Sequence, residues 1–370
     1  MKAYFDTVST TRCDRQVLDT YKKLLDNYYC NSDALYDDGV AIYEMQEKAR
    51  GNIASSLGVR KDEVIFTSGA SEASSLAIKG LCFKHPERKH LITTSYEHSS
   101  VHHAMLQLRD VFGYEVSFLE PNEKGVVSAE MVRKALRPDT LLVSIMNVNN
   151  ELGTINDINA IKKIVKKAPG VYFHSDITQA LGKIDVDLSD IDMASFSAHK
   201  IHGLKGSGAL IKKRFVELEP IISGGQQEMG IRGGTSNALV NIVLAKTLRL
   251  ALENQRKYEK VLDEMHEMLI KGLKDIEGIR INSPEASLKT LLNISTPLTS
   301  EVMLNALNAK GIMVSSKSTC GSRTAEKNRA LSSLGIDDDY AIRISFDYLN
   351  NKEEIAYLLD CLKEIISKYG

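Results

Sequence analysis

Short β-type runs alternate with helical segments through the first two thirds of the chain, and this alternation limits the fold more than any other feature. VIFT (64–67), HLITT (90–94), YEVSFL (114–119), TLLVSIM (140–146), VYFHS (171–175) and the strand at 192–196 are each short and apolar. Helical periodicity over 100–109, 128–136 and 157–167 separates several of them. Strands joined by helices of 8 to 12 residues predict a largely parallel sheet covered on both faces. In such sheets ligands bind beyond the carboxyl ends of the strands.

Polar residues collect at those ends. Ser71, His98, Asn150, Asp176, Gln179, His199 and Lys200 each follow a β-type run closely. The stretch SFSAHKIHGLKGSG (195–208) is the most telling, two strand-like runs flanking a glycine-rich loop that presents Lys200. A lysine at a strand end, in a site dry enough to lower its pKa, can form a Schiff base with a carbonyl cofactor. Taken alone, a surface Lys-Gly turn accounts for it as well. FTSGASE (66–72) reads as strand, tight turn and helix start, a geometry that suits phosphate because the first helical amides are unpaired. A serine N-cap explains the same letters.

Before the alternating region, helices are expected at 14–28 and from about Val40 to Leu57, with the hydroxyl-rich turn Ser9-Thr10-Thr11 ahead of them. After it, SGGQQEMGIRGGTSN (223–237) is a second glycine-rich loop. The helical region from 237 to about 275 is long enough to predict a bent connector or two helices. The C-terminal part mixes helices at 300–309, near 330–334 and at 352–368 with short strands, an α+β pattern. The expected division is a large domain over 13–256 and a smaller one over 257–370 joined by residues 1–12.

With 370 residues and a formal net charge of −1, neither a nucleic-acid grip nor a membrane-surface patch is expected as the main business. No apolar run reaches bilayer length, and the N-terminus is polar where a signal peptide would be apolar, so a cytoplasmic protein is expected. The five cysteines, Cys13, Cys30, Cys82, Cys320 and Cys361, are widely spaced without a CxxC, which argues against a disulfide framework or a structural zinc site.

Together the segments FTSGASE, EHSS, SIMNVNNELGTINDI, HSDITQALGKIDVDL, SFSAHKIHGLKGSGAL, GGQQEMGIRGGT and SSKSTCGS resemble the class V aminotransferase-like group of pyridoxal-phosphate enzymes. The chain most resembles the cysteine desulfurases of the nitrogen-fixation and iron–sulfur-cluster type, over about residues 6 to 346. The resemblance implies an α/β fold, the type I fold of pyridoxal-phosphate transferases. A large domain with a mostly parallel sheet would carry a smaller α+β domain.

It also implies roles. Lys200 would hold pyridoxal 5'-phosphate as a Schiff base and then act as acid and base. Asp176 would face the pyridine nitrogen, where a carboxylate keeps the ring an electron sink. Gln179 and Asn150 would hydrogen-bond the phenolic oxygen. His98 would stack on the ring and relay a proton. Ala70, Ser71, Ser197 and His199 would bind the phosphate, and Thr235 would reach the phosphate of a neighbouring subunit in a homodimer. Arg343 would pair with the substrate carboxylate through its forked guanidinium, and Asn31 would lie near the substrate.

Cys320 would be the sulfur acceptor. Its thiolate would attack the sulfur of L-cysteine, leaving a persulfide and alanine, and Lys317 and Arg323 would raise the thiolate fraction. A sulfur-accepting protein, an iron–sulfur scaffold or a tRNA-thiolating enzyme, would then be the partner. Selenocysteine lyase or aminotransferase activity is the alternative within the group, and a degenerate scaffold the alternative outside enzymes. Departures from the family pattern include Arg12 and Cys13 after Ser-Thr-Thr, Ser32 after Asn31, and His202 in the lysine loop.

Overall fold

The computed structural model describes residues 1–316 and 327–370. Its strands, in chain order, are β1 (Ala3–Tyr4), β2 (Val64–Thr67), β3 (His90–Thr94), β4 (Glu115–Leu119), β5 (Thr140–Ser144), β6 (Tyr172–Asp176), β7 (Met193–Ser197), β8 (Gly208–Lys212), β9 (Arg280–Ile281), β10 (Leu291–Ser295), β11 (Ile312–Met313) and β12 (Ala341–Ser345). Seven of them form one sheet in the order β2-β8-β7-β6-β5-β3-β4. All run parallel except β8, which pairs antiparallel with both β2 and β7. The exception follows from chain length: a short loop after Lys200 joins β7 to β8 and can only turn the chain back, whereas parallel neighbours need a crossover.

Strands β3, β5, β7 and β8 are buried along their whole length. That is why they read as continuous apolar runs rather than alternating ones. The side chains of the sheet divide between two layers. Ile92, Val143, Phe173, Phe196 and Ile211 join one apolar cluster, and Leu91, Leu142, Met193 and Leu210 join the other. A third cluster unites Ala3 and Phe5 with residues from Met265 to Ile365. It packs on the antiparallel sheet β12-β10-β9 and on the parallel pair β1-β11.

The long helical region is one continuous helix, Ala238–Lys274, rather than two. No proline occurs in it and its single glycine, Gly272, comes in the last turn, so nothing breaks the hydrogen-bond ladder earlier. Leu244 and Leu248 pack in the first cluster, and Met265, Leu269 and Leu273 in the third. The helix therefore bridges two cores. Other expected helices are found with small shifts: Arg15–Asn27, Asp37–Leu57, Ser99–Phe112, Ala129–Ala135, Ile158–Val165, Ser300–Ala309 and Lys352–Tyr369. Among the described residues no helix is long and apolar enough to cross a membrane.

Candidate active site

The carboxyl ends of β2, β3, β6 and β7 bring the sequence-selected residues to one edge of the sheet. Lys200 closes a single 3-10 turn, Ala198–Lys200, directly after β7. Its Nζ donates to the carbonyls of Val8 at 2.6 Å and Ser9 at 2.8 Å. The N-terminal segment thus folds over the lysine. Thr11 reinforces this: its N–H and hydroxyl both donate to the His199 carbonyl at 2.9 Å. His199 Nδ1 lies 3.1 Å from Thr10 Oγ1, and burial and then the Lys200 charge push its pKa down to about 4.

Asp176 is the last residue of β6 and is buried. Its Oδ1 accepts the Thr178 N–H at 2.9 Å. The capping role open to this residue is therefore real, and it occupies one carboxylate oxygen. Gln179, also buried, donates through Nε2 to the Val8 carbonyl at 3.1 Å, the same oxygen that takes Lys200.

His98 caps the helix Ser99–Phe112. Its Nδ1 accepts the Ser100 N–H at 3.2 Å, and a backbone N–H can only donate, so in the neutral ring the proton sits on Nε2. Burial holds His98 below the ordinary histidine pKa, with Asp176 pulling the other way and Lys200 adding to the drop. Next to it, Glu97 is buried with its Oε1 accepting from the Met146 N–H and the Thr94 hydroxyl; its Oε2 has no partner. Burial and, secondarily, the Asp176 charge push the Glu97 carboxyl up to about 8.

The helix Ala70–Ser75 begins at Gly69, whose φ of 148° suits glycine. Neither Ser68 nor Ser71 caps it. The cap comes from across the sheet, where Ser197 Oγ accepts the Ala70 N–H at 2.7 Å. This close approach depends on glycines. A Cβ on Gly208 would lie 2.4 Å from the Phe196 carbonyl oxygen and 2.7 Å from the Gly69 Cα. Ser71 is exposed at this helix start.

Arg343, on β12, is 2 % exposed. Its Nη1 donates to the Asn150 carbonyl at 2.9 Å and to Glu151 Oε1 at 2.8 Å; its Nη2 donates to Ser9 Oγ at 2.8 Å and lies 3.2 Å from Asp6 Oδ1. Nε is buried without a partner. An edge strand of its sheet holds it, yet it points inward and joins β12 to the turn after β5. Asn150 sends its own amide to Glu151 Oε1 at 2.7 Å, so its side chain lies in the Arg343 cluster. Arg343 also exchanges backbone hydrogen bonds with Ser315, the root of the cysteine loop. Cys320, with Lys317 and Arg323, lies outside the described residues.

Two residues stand apart from this cluster. Thr235 is exposed in the loop 223–237. That loop is tied to the helix start by Arg232, which donates to Glu72 Oε1 at 2.8 Å, and to β2 by the buried Glu228, which accepts from Arg50 and from the Phe66 N–H. Asn31 is exposed, and its Oδ1 accepts the Asp33 N–H. Among the described residues no hydrogen bond joins either to Lys200, Gln179 or Arg343. Sequence reading missed Val8, Asp6, Lys183, Glu97 and Glu151 as site components. Ser9, Thr10 and Thr11 were visible only as a turn, because their partners lie nearly the whole domain away in sequence.

The sequence profile of the family described as Aminotransferase class-V matches residues 3–358. The chain belongs to that family. As a class V aminotransferase relative it is 35% identical over 379 residues to a cysteine desulfurase IscS of Dictyoglomus turgidum, covering 99% of this chain and 95% of that one. A solved NifS-like protein superposes with a TM-score of 0.93 at 35% identity, covering 100% of both chains. The structure described as SspA in complex with cysteine superposes with a TM-score of 0.81 at 33% identity, covering 94% of this chain and 99% of that one.

Class V aminotransferase-type enzymes of this kind depend on pyridoxal 5'-phosphate. The donor set here fits that group. An amine (Lys200), a buried carboxylate with one unspent oxygen (Asp176), a carboxamide donor (Gln179) and an imidazole (His98) meet a glycine-tight helix start with hydroxyls at Ser71 and Ser197. These match in turn an aldehyde, a pyridine nitrogen, a phenolic oxygen, an aromatic ring and a phosphate.

Proposed function

We propose that this chain is a cysteine desulfurase that moves sulfur from L-cysteine to Cys320 and releases alanine. The observation that carries the reading is the convergence of Lys200, Asp176, Gln179 and His98 at one sheet edge, with the root of the cysteine loop bonded to Arg343 beside it. Bound pyridoxal phosphate supplies an electron sink for the carbon skeleton of the substrate.

The protein's own groups do the rest. Lys200 Nζ takes the proton from the substrate Cα and returns one later. His98, neutral at working pH, offers its Nε2 proton and can accept one in turn. Arg343 has one unspent N–H, and it receives the substrate carboxylate by exchanging Asp6 or Glu151 for it. The Cys320 thiolate attacks the substrate sulfur; the S–S bond forms as the Cβ–S bond breaks, and the electron pair of the broken bond stays with carbon. Protonation then gives alanine, and the persulfide passes to an acceptor protein of iron–sulfur assembly or tRNA thiolation.

We place the working protein as a homodimer in the cytoplasm. Tyr29, Leu35, Tyr36, Tyr43 and Met229 are 91, 95, 56, 50 and 49 % exposed, an apolar group that a second copy would cover. Thr235, exposed beside it, would then complete the partner's phosphate site. Cys13, Cys30, Cys82 and Cys361 are free, which fits a reducing compartment. We also divide the chain into a large unit, 13–256, and a smaller one, 257–370 with 1–12; the core of Ala3, Phe5 and Met265 to Ile365 supports it, while Val8, Leu288, Leu291, Ala330 and Leu331 of the smaller unit pack in the larger core.

A visible absorption spectrum of the purified protein, followed through addition of L-cysteine and a reductant with alanine and sulfide assayed, tests the reading. The expected result is a yellow protein that yields both products. Cys320→Ala should stay yellow and yield neither. A yellow protein whose activity survives that change would move the function to selenocysteine lyase or aminotransferase chemistry. A colourless protein that takes up no pyridoxal phosphate would leave only a scaffold.

A further inference from the structure

Lys183 is a half-buried cation that the mechanism above does not use. It sits in the turn after β6, where its side chain borders a cleft of about 400 Å³ shared with Lys200, Thr7, Thr11, His202 and Asp347. Its Nζ donates to Gln179 Oε1 at 2.5 Å, and among the described residues no carboxylate lies within ion-pair distance of it. A lysine placed so, without a counter-ion in contact, is costly to keep. Burial first, then the Lys200 charge, pushes its pKa down to about 7, with Arg343 adding to the drop and Asp347 opposing it. His199 and His202 face the same charge and are themselves held below the ordinary histidine range.

The geometry explains the expense. Gln179 has two different ends. Its Oε1 faces the Lys183 ammonium, and its Nε2 faces the Val8 carbonyl at 3.1 Å. Turning the carboxamide over would set N–H against ammonium at one end and oxygen against carbonyl at the other, two repulsive contacts in place of two hydrogen bonds. The ammonium form has donors only and enforces this orientation; in the neutral form, reached as pH rises through about 7, the amine lone pair can accept, and the Val8 carbonyl alone opposes the flip. The Val8 carbonyl also takes Lys200 Nζ at 2.6 Å, so Lys183, Gln179, Val8 and Lys200 form one continuous chain of contacts. With one N–H of Gln179 spent on Val8, the second is left to donate.

We propose that Lys183 is a positioning residue that, as an ammonium, holds the Gln179 carboxamide so that it presents N–H rather than oxygen to the phenolic oxygen of pyridoxal phosphate. This rests on the function proposed above and assigns to that site a group absent from its chemistry. A donor on the phenolic oxygen favours its anion and thus the deprotonated chromophore on Lys200. Losing that donor shifts the chromophore's titration to higher pH.

The test is a set of pH titrations of the visible band in the cofactor-loaded protein, with the pyridoxal phosphate dissociation constant measured for each variant. Lys183→Met should raise the titration midpoint by about one pH unit and weaken cofactor binding about tenfold. Lys183→Arg, which keeps a donor, should restore most of both. In a Gln179→Leu background, Lys183→Met should add little to either, because Lys183 acts through Gln179.

A loaded Lys183→Met protein with unchanged midpoint and affinity would overturn the proposal. So would a full additional shift in the Gln179→Leu background, since that would make Lys183 a through-space charge only. Lys183→Leu, which likewise has no donor, gives the same comparison if the methionine variant does not fold. Wild-type protein that takes up no pyridoxal phosphate overturns the function and this inference together; a loaded wild type with an unaffected variant overturns this inference alone.

Discussion

At the scale of single residues, the site is built from groups kept out of water and held in one state. Glu97 shows the cost. Its folded pKa of about 8 lies above the ordinary carboxylate range because it is buried with one oxygen unpartnered. A raised folded pKa means the native state holds a proton that the unfolded chain gives up. That stability is full below about pH 4.5 and is lost as pH rises through 8. Glu97→Gln cannot titrate, and its amide would bury two N–H donors at the position of the unpartnered Oε2, against the single O–H of the protonated acid. The variant should therefore be less stable than wild type at pH 5, and the gap should close by on the order of 4 kcal/mol towards pH 8. Thermal unfolding at both pH values measures this, and a gap independent of pH would show that Glu97 is ionised in the fold. Asp176 makes a related point. Its turn-capping bond and its proposed cofactor role are not rivals, because a carboxylate has two oxygens and the turn uses one.

Among the elements, the junction of β7, β8 and the helix Ala70–Ser75 decides whether a phosphate could be held. Ser197 at the end of β7 caps a helix that begins 127 residues earlier in the chain. The two backbones meet because Gly69 and Gly208 have no side chains between them. Gly208→Ala puts a methyl group into backbone atoms that cannot swing aside. It should destabilise the protein by about 3 kcal/mol and weaken cofactor binding, as the Ser197–Ala70 contact opens. Gly51→Ala, in the helix Asp37–Leu57 with open space around its Cβ, is the control and should stabilise by about 0.5–1 kcal/mol. Equal effects at the two positions would remove the close-packing argument. The sequence showed a helix over 73–79 after the Gly69 turn and a strand over 192–196 separately; the structure starts the helix at Ala70 and ends the strand at Ser197. The cap between them was not legible, because it depends on β8 lying between β2 and β7.

For the whole molecule, assembly turns on the apolar face formed by the segment from Tyr29 to Tyr43 and by Met229. Tyr43, Gln227, Glu228 and Met229 border a concavity of about 870 Å³ there, well populated with polar groups such as Arg50 and Asp33. If a second copy covers it, Tyr43→Asp should raise the dimer dissociation constant about 30-fold or more by sedimentation, with loss of bound cofactor in step as Thr235 leaves the partner's site. A wild-type protein that is monomeric yet fully coloured would refute the shared site. The sequence by itself determined the class of fold, because β-type runs separated by helices can bury both faces only as a covered parallel sheet. It also placed His98, Asp176, Gln179 and Lys200 at strand ends, since the period of the apolar pattern marks where each strand stops. Only the tertiary structure decided which of these meet. Val8 and Ser9 reach Lys200, Arg343 reaches Glu151, and Lys183 reaches Gln179 through contacts that local propensity does not encode. The direction of β8 and the unbroken helix Ala238–Lys274, by contrast, rest on features the sequence carries, a short loop after Lys200 and a stretch without proline, and the structure shows the sheet neighbours and the two cores they serve.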